Sequence, residues 1–298
     1  MAVNPFQKAE RTKVKARMAL DGPTGSGKTY TALMAAKAFA GNDGKIAVID
    51  TERGSASLYA GDGTPENFDF DVIELDHFDP LEYVKYIKAA EDAGYDVLVI
   101  DSLSHAWEGE GGALDQVSDN AARLKGNSYA AWRTVTPKHR KLVDTMLQSG
   151  MHIITTMRSK MEYVQEKNDQ GTTEIRKIGM APIQRAGMEY EFTWVIDMDI
   201  DHTAVVSKSR AAKLADLVEN KPGLAWFEQF YGWLVSGKEP PRTKEELARF
   251  AKQVGLEPKD IAEALKKAKI EFSPDPAMWP KLTNAITEYA ESKNTKGE

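Results

Sequence analysis

The stretch "GPTGSGKTYTAL", residues 22–33, limits what this chain can fold into more than any other. It fits the spacing G-x-x-x-x-G-K-[ST], with Gly22, Gly27, Lys28 and Thr29 in register. Glycine lets a chain turn through φ > 0, so that successive backbone N–H groups converge on an anion. The spacing predicts a phosphate cradle built from Gly22, Pro23, Thr24, Gly25, Ser26 and Gly27. Lys28 then sits against the β- and γ-phosphates of a nucleotide, and the Thr29 hydroxyl holds a Mg²⁺ ion bridging them. A helix opening at Thr29 points its positive end at the same phosphates. Tyr30 either stacks on the base or packs internally. The apolar-rich "VKARMALD" before the loop and the Ala- and Leu-rich run after it supply the strand and helix such a cradle needs, which a Gly/Ser surface turn does not.

Strand and helix signals alternate beyond it. "TYTALMAAKAFAG" predicts a helix ended by Gly41, and "KIAVID", 45–50, a buried strand. "FDVIEL", 70–75, predicts another strand. The helix after it has Asp79 as N-cap, Pro80 in the first turn, Leu81, Val84 and Ile87 at helical spacing, and Gly94 as its stop. "YDVLVID", 95–101, is a continuous apolar strand. "PKHRKLVDTMLQSG", 137–150, predicts a helix and "MHIITTM", 151–157, a strand. The order predicts an α/β fold, a mainly parallel sheet with helices on both faces. "EFTWVIDMDIDHTAVVSKS", 191–209, adds two strands joined by a tight turn near Asp201, hence an antiparallel edge. "SGKEPPRT", 236–243, interrupts the pattern, dividing a core over 1–237 from a small helical unit over 238–298. That unit opens on a capping box, Thr243 to Glu246, and continues with two amphipathic segments, 257–270 and 276–292. It holds 12 Lys/Arg against 11 Asp/Glu, so charge assigns it no partner; a packing or partner-docking module is the expectation.

Composition narrows the chemistry. The absence of cysteine from all 298 residues excludes disulfides, thiolate catalysis and Cys-type zinc sites. His77, His105, His139, His152 and His202 are scattered, with no pair at helical ligand spacing, so they read as surface or satisfied core residues. No run of about 18 apolar residues is present to span a membrane. "MAVNPFQKAERTKVKAR" lacks the apolar core of a signal peptide, which predicts a cytoplasmic protein. A net charge of −6 leaves room for a locally basic nucleic-acid channel.

The carboxylates set the subclass. Asp101 ends "VLVID", from which it can reach the Mg²⁺ shell. The next residue is Ser102, where many AAA+ and helicase ATPases carry a water-activating Glu, so the base comes from elsewhere. Glu52, in "VIDTERG" at the end of the preceding strand, faces the crevice where open α/β sheets bind ligands and is the candidate base; the alternative is a solvated loop residue, with Asp50 ending the strand. The basic run 158–187 carries Arg158, Lys160, Lys167, Arg176, Lys177 and Arg185 against four acids, with Tyr163 available to stack on a base. It also reads as a surface hairpin turning at Asp169 to Gly171, and the two readings are compatible.

The phosphate loop, a Glu just after the second strand, "VLVIDS" and "HIITTMRSK", in that order, resemble the ATPase core of the RecA family over about 14–235. The chain is similar to the short RecA-like P-loop ATPases of phages and prophages, AAA-domain nucleotide-binding proteins of which some act in single-strand annealing or recombination mediation. The resemblance implies that Glu52 is the catalytic glutamate and Asp101 the magnesium-side aspartate. Thr155 and Thr156 stand where the family has the Asn-Gln that senses the γ-phosphate. It further implies that 158–187 is a DNA-binding loop, and that Lys208 and Arg210 in "VVSKSR" reach a neighbouring subunit's γ-phosphate. The implied protein is an ATP- and Mg²⁺-dependent ATPase acting on single-stranded DNA as a homo-oligomer, with a replication or recombination partner at the C-terminal helices. A ring helicase or translocase, and a nucleotide-gated interaction protein, remain as alternatives.

Overall fold

The computed structural model describes residues 8–61, 67–167, 173–240 and 242–294, with backbone alone over 161–167 and 173–179. These residues divide into two compact units, one over 15–91 and 95–232, the other over 8–14, 92–94 and 233–294.

The larger unit is built on a nine-stranded sheet. Its strands are β1 (Arg17–Gly22), β2 (Ile46–Asp50), β3 (Asp71–Glu74), β4 (Val97–Asp101), β5 (His152–Lys167), β6 (Thr173–Pro182), β7 (Trp194–Met198), β8 (Thr203–Ser209) and β9 (Val218–Asn220). They lie in the order β3-β2-β4-β5-β1-β7-β8-β9, with β6 paired to β5. The first six in that order are parallel, while β8, β9 and the β5–β6 pair are antiparallel. Helices α1 (Lys28–Ala40), α2 (Pro80–Asp92), α3 (His105–Glu108), α4 (Ala113–Arg123), α5 (Ser128–Gln148) and α6 (Leu224–Val235) complete an α/β fold with helices on both faces. β1, β2 and β4 are buried along their whole length, as strands covered on both faces must be. Ile49, Leu98, Ile100 and Ile153 of the sheet pack with Tyr83 and Ile87 of α2 and Leu142 and Met146 of α5.

Three elements differ from their sequence expectation. β3 is exposed at all four residues, because it forms the sheet edge. α5 starts at Ser128 rather than at Pro137, capped by Asn127, whose side chain accepts from Ala130 N at 3.0 Å. Pro137 is tolerated mid-helix because it and Arg133, whose carbonyl it frees, both lie on the exposed side, while Ala131, Val135, Leu142 and Met146 keep an unbroken buried stripe. β5 continues ten residues past Met157, forming with β6 the hairpin over the basic run; the turn expected at Asp169 to Gly171 lies outside the described residues. The tight β7–β8 turn near Asp201 is present.

The smaller unit is helical: α7 (Lys244–Gln253), α8 (Pro258–Ala268) and α9 (Trp279–Asn294) enclose Leu247, Ala251, Leu256, Ala264, Leu282 and Ile286. Thr243 and Glu246 form the expected reciprocal capping box. The segment around Lys13 joins this unit through its backbone, with Thr12 bridging Lys238 in parallel and Lys13 N donating to Lys238 O at 2.7 Å. Among the described residues no helix is long and apolar enough to cross a membrane.

Candidate active site

Parallel register brings the site together. Asp50 pairs with Asp101, Leu20 with Thr156 and Gly22 with Arg158, so the C-terminal ends of β1, β2 and β4 line up with the middle of β5 along one edge. The phosphate loop leaves β1 at this edge. A Cβ on Gly22 would lie 2.4 Å from Met198 O, and Gly27, at φ 87°, has His202 Nδ1 3.2 Å from where its Cβ would be. Only glycine fits both positions. The first α1 hydrogen bond runs from Thr31 N to Gly27 O at 3.0 Å, so the N–H groups of Gly27, Lys28 and Thr29 precede the intrahelical ladder. Lys28 Nζ donates to Pro23 O at 2.7 Å, folding the ammonium back over the cradle. Burial lowers its pKa, and the nearby Glu52 and Asp101 carboxylates oppose that shift.

Asp101 is 2% exposed and is gripped from both sides. Thr29 Oγ1 donates to its Oδ2 at 2.7 Å, and Thr156 Oγ1 donates to its Oδ1. Burial pushes the Asp101 pKa up, against the hydrogen bonds from Thr156 and Thr29. A hydroxyl and a carboxylate sharing one corner of a phosphate cradle are hard oxygen donors of the kind Mg²⁺ takes while keeping waters and phosphate oxygens. The donor set and the glycine cradle thus fit a magnesium–nucleotide complex.

Glu52 is held in place by Asp50. The buried Asp50 carboxylate accepts from Glu52 N at 2.6 Å and Ala56 N at 2.9 Å, so it shapes the turn as well as ending the strand. Thr51 Oγ1 accepts from Ser102 N at 2.7 Å and lies 2.6 Å from His105 Nδ1, binding the β2 exit to the β4 exit. Burial lowers the His105 pKa, as does Arg158. Glu52 Oε1 accepts from Arg158 Nε at 3.0 Å, and Arg158 N donates to Ser104 Oγ at 2.9 Å. The first cation of the basic run therefore sits on the candidate base.

A family model described as an AAA domain, AAA_24, matches residues 14–220. The chain belongs to that family. It is a nucleotide-binding ATPase of the P-loop class, and the matched residues span the sheet from β1 to β9. No curated protein matches the chain.

The remaining sequence candidates fall elsewhere in the AAA domain. Thr156 is fully buried, and its hydroxyl is directed to Asp101. Thr155 is also buried. Lys160 and Arg185 are exposed near the hairpin root, while Tyr163, Lys167, Arg176 and Lys177 occupy hairpin strand positions, with Tyr163 opposite Lys177. Lys208 pairs with Val195 and Ser209 with Trp194, which registers with Met18, so Lys208 and Arg210 lie roughly 13 Å along the strands from Gly22. Lys208 Nζ donates to the carbonyls of Glu189 at 2.9 Å, Tyr190 at 2.8 Å and Phe192 at 2.5 Å. Arg210 Nη2 donates to Tyr190 O at 3.1 Å.

Several neighbours of the site carried no readable motif. His202 lies against Gly27 through the β7–β8 turn, and Tyr59 meets Tyr30 edge-on with centroids 5.9 Å apart. Asp21 is the in-register partner of Asp197; burial first, and Asp197 second, push its pKa up to about 8.

Proposed function

We propose that the protein is an ATP- and Mg²⁺-dependent ATPase that acts on single-stranded DNA in phage-type recombination, replication or repair. One observation carries the reading: Arg158, where the basic hairpin begins, is ion-paired with Glu52 at the nucleotide edge. A polyanion lying along the hairpin competes for Arg158 and frees the Glu52 carboxylate. Phosphate contacts by Lys160, Lys167, Arg176, Lys177 and Arg185, with Tyr163 stacking on a base, suit a single strand.

Lys28 and the loop amides hold the nucleotide's phosphates, and Thr29 and Asp101 hold the metal. When bound, the ion withdraws charge from the phosphate oxygens. Thr156 fixes the Asp101 carboxylate that would hold the ion, and Glu52, once released, would orient and deprotonate the attacking water. Tyr30 and Tyr59 form an aromatic ledge beside Thr29 suited to a base. Self-assembly and a partner at the C-terminal helices belong to the same reading; charge stabilisation in trans by Lys208 and Arg210 requires them to leave their present carbonyl partners.

The test is steady-state ATP hydrolysis with and without single-stranded DNA, at low and raised salt. Stimulation that weakens with salt is expected, together with loss of turnover in Glu52→Gln. Equal rates with and without DNA, combined with full activity of Glu52→Gln, sink the proposal.

A further inference from the structure

The hairpin leaves the sheet by two legs, and so far only the outgoing one has been tied to the nucleotide edge, through Arg158. The returning leg comes back through Ile183, whose N–H donates to Arg158 O at 2.7 Å, to Gln184, which is 9% exposed. Gln184 Nε2 donates to Leu103 O at 3.0 Å. A carbonyl only accepts, so this bond fixes the amide orientation and turns Oε1 toward two donors. These are His139 Nε2 at 2.9 Å, from α5, and Arg185 N at 2.8 Å. His139 is itself 3% exposed, with the Trp107 ring edge-on at 5.3 Å. A long, rotamer-rich amide is thus buried with its polar atoms engaged by three different segments.

Leu103 is the next link. Its N–H donates to Thr156 O at 2.9 Å, Thr156 Oγ1 donates to Asp101, and Asp101 accepts from Thr29 at 2.7 Å. A continuous series, Gln184 to Leu103 to Thr156 to Asp101 to Thr29, therefore runs from the returning leg to the metal side of the phosphate loop. The outgoing leg reaches the other carboxylate, Glu52, through Arg158.

We infer that Gln184, oriented by His139, is a positioning residue that sets the Asp101–Thr156 pair according to the state of the hairpin. This rests on the proposed reading that the hairpin receives single-stranded DNA. The two carboxylates then respond to one event by separate routes, Glu52 by release from Arg158 and Asp101 by tension on Leu103. Gln184 is buried and makes no DNA contact of its own, so its replacement changes coupling and leaves DNA affinity alone.

Gln184→Glu keeps the acceptor for His139 and Arg185 but sets an acceptor against Leu103 O. Gln184→Asn keeps both amide functions and is one methylene too short to reach Leu103. Both variants, in the full-length protein, are assayed for ATP turnover with and without an oligothymidylate strand, for the Mg²⁺ concentration at half-maximal turnover, for DNA affinity and for melting temperature. The expected result is a ratio of DNA-stimulated to DNA-free turnover lowered ~3- to 30-fold in either folded variant, with a raised Mg²⁺ requirement and DNA affinity within about twofold of wild type. A purely structural role instead lowers the melting temperature and both turnover rates together. Wild-type ratios and Mg²⁺ dependence in a folded variant overturn the inference while leaving the DNA reading intact. A wild-type protein indifferent to DNA overturns the reading, and the inference with it.

Discussion

The two ends of the sheet treat their cations differently. At the end where β1, β2 and β4 finish, Arg158 faces the Glu52 carboxylate and Lys28 lies close enough to Glu52 and Asp101 to feel their charge. At the end where β7 begins, Lys208 and Arg210 donate to backbone carbonyls of 189–192. A side-chain carboxylate can exchange its cation for a phosphate and still be solvated. Three carbonyls gathered on one ammonium cannot lose it without leaving the part-buried acceptors of Glu189 and Phe192 unmet. The first arrangement is exchangeable and suits chemistry; the second is a brace. Equal positive charge thus carries different meaning according to what it faces.

The largest effect belongs to the loop. Lys28→Ala is expected to cut ATP turnover ~10²- to 10³-fold, as loss of a preorganised donor does, with the fold intact by melting. Normal turnover in this variant would remove the nucleotide site from Lys28. Arg158→Ala tests the exchangeable pair in the opposite direction. Without its partner, Glu52 is free in the absence of DNA, so DNA-free turnover is expected to rise about 2- to 10-fold while stimulation by DNA shrinks. A DNA-free rate that falls instead makes Arg158 a supporting residue for Glu52 rather than a restraint.

Lys208→Ala tests the brace. Loss of bonds to three carbonyls is expected to cost about 1–2 kcal/mol, a fall in Tm of about 2–8 °C, with turnover per folded molecule unchanged. A subunit-bridging role predicts the reverse, an unmoved Tm and a ~10³-fold loss of DNA-stimulated turnover. Measuring both quantities on one preparation separates brace from bridge.

The phosphate loop, the buried strands and the edge hairpin were legible because each is written in a short window: fixed glycine spacing, continuous apolar runs, alternation about a turn. Glu52 and Asp101 were legible as strand ends, since parallel strands put their C-termini at one edge. What escaped depends on register across long separations. Arg158 read as one basic residue among six, yet 106 residues away in sequence it meets Glu52, because Gly22 pairs with Arg158 and Asp50 with Asp101. Gln184 and His202 carried no signal, since nothing local says that a glutamine will reach Leu103 or that a turn will land on Gly27. The strand bearing Lys208 was readable, but which end of the sheet it would reach was not. Pro137 hid the first nine residues of α5, because sequence alone does not tell a solvent-facing proline from a helix start.

The smallest effect concerns Asp21, which gives the nucleotide end a proton to lose between acid and mildly basic pH. Its carboxyl is 6% exposed beside Asp197, with a pKa raised from 3.8 to about 8 by burial and by that neighbour. The native protein therefore keeps a proton that the unfolded chain sheds above about pH 4. With more protons bound in the native state, stability falls as pH rises, through the window from about pH 4 to about pH 8. Asp21→Asn keeps the shape and removes the titration, so its Tm relative to wild type is expected to climb across that window, reaching about 2–6 °C above it by pH 8.5. Asp197→Asn removes the second cause of the Asp21 shift and is expected to narrow the window from its upper end. If melting curves of wild type and both variants run parallel from pH 5 to pH 8.5, Asp21 does not hold its proton in the native protein.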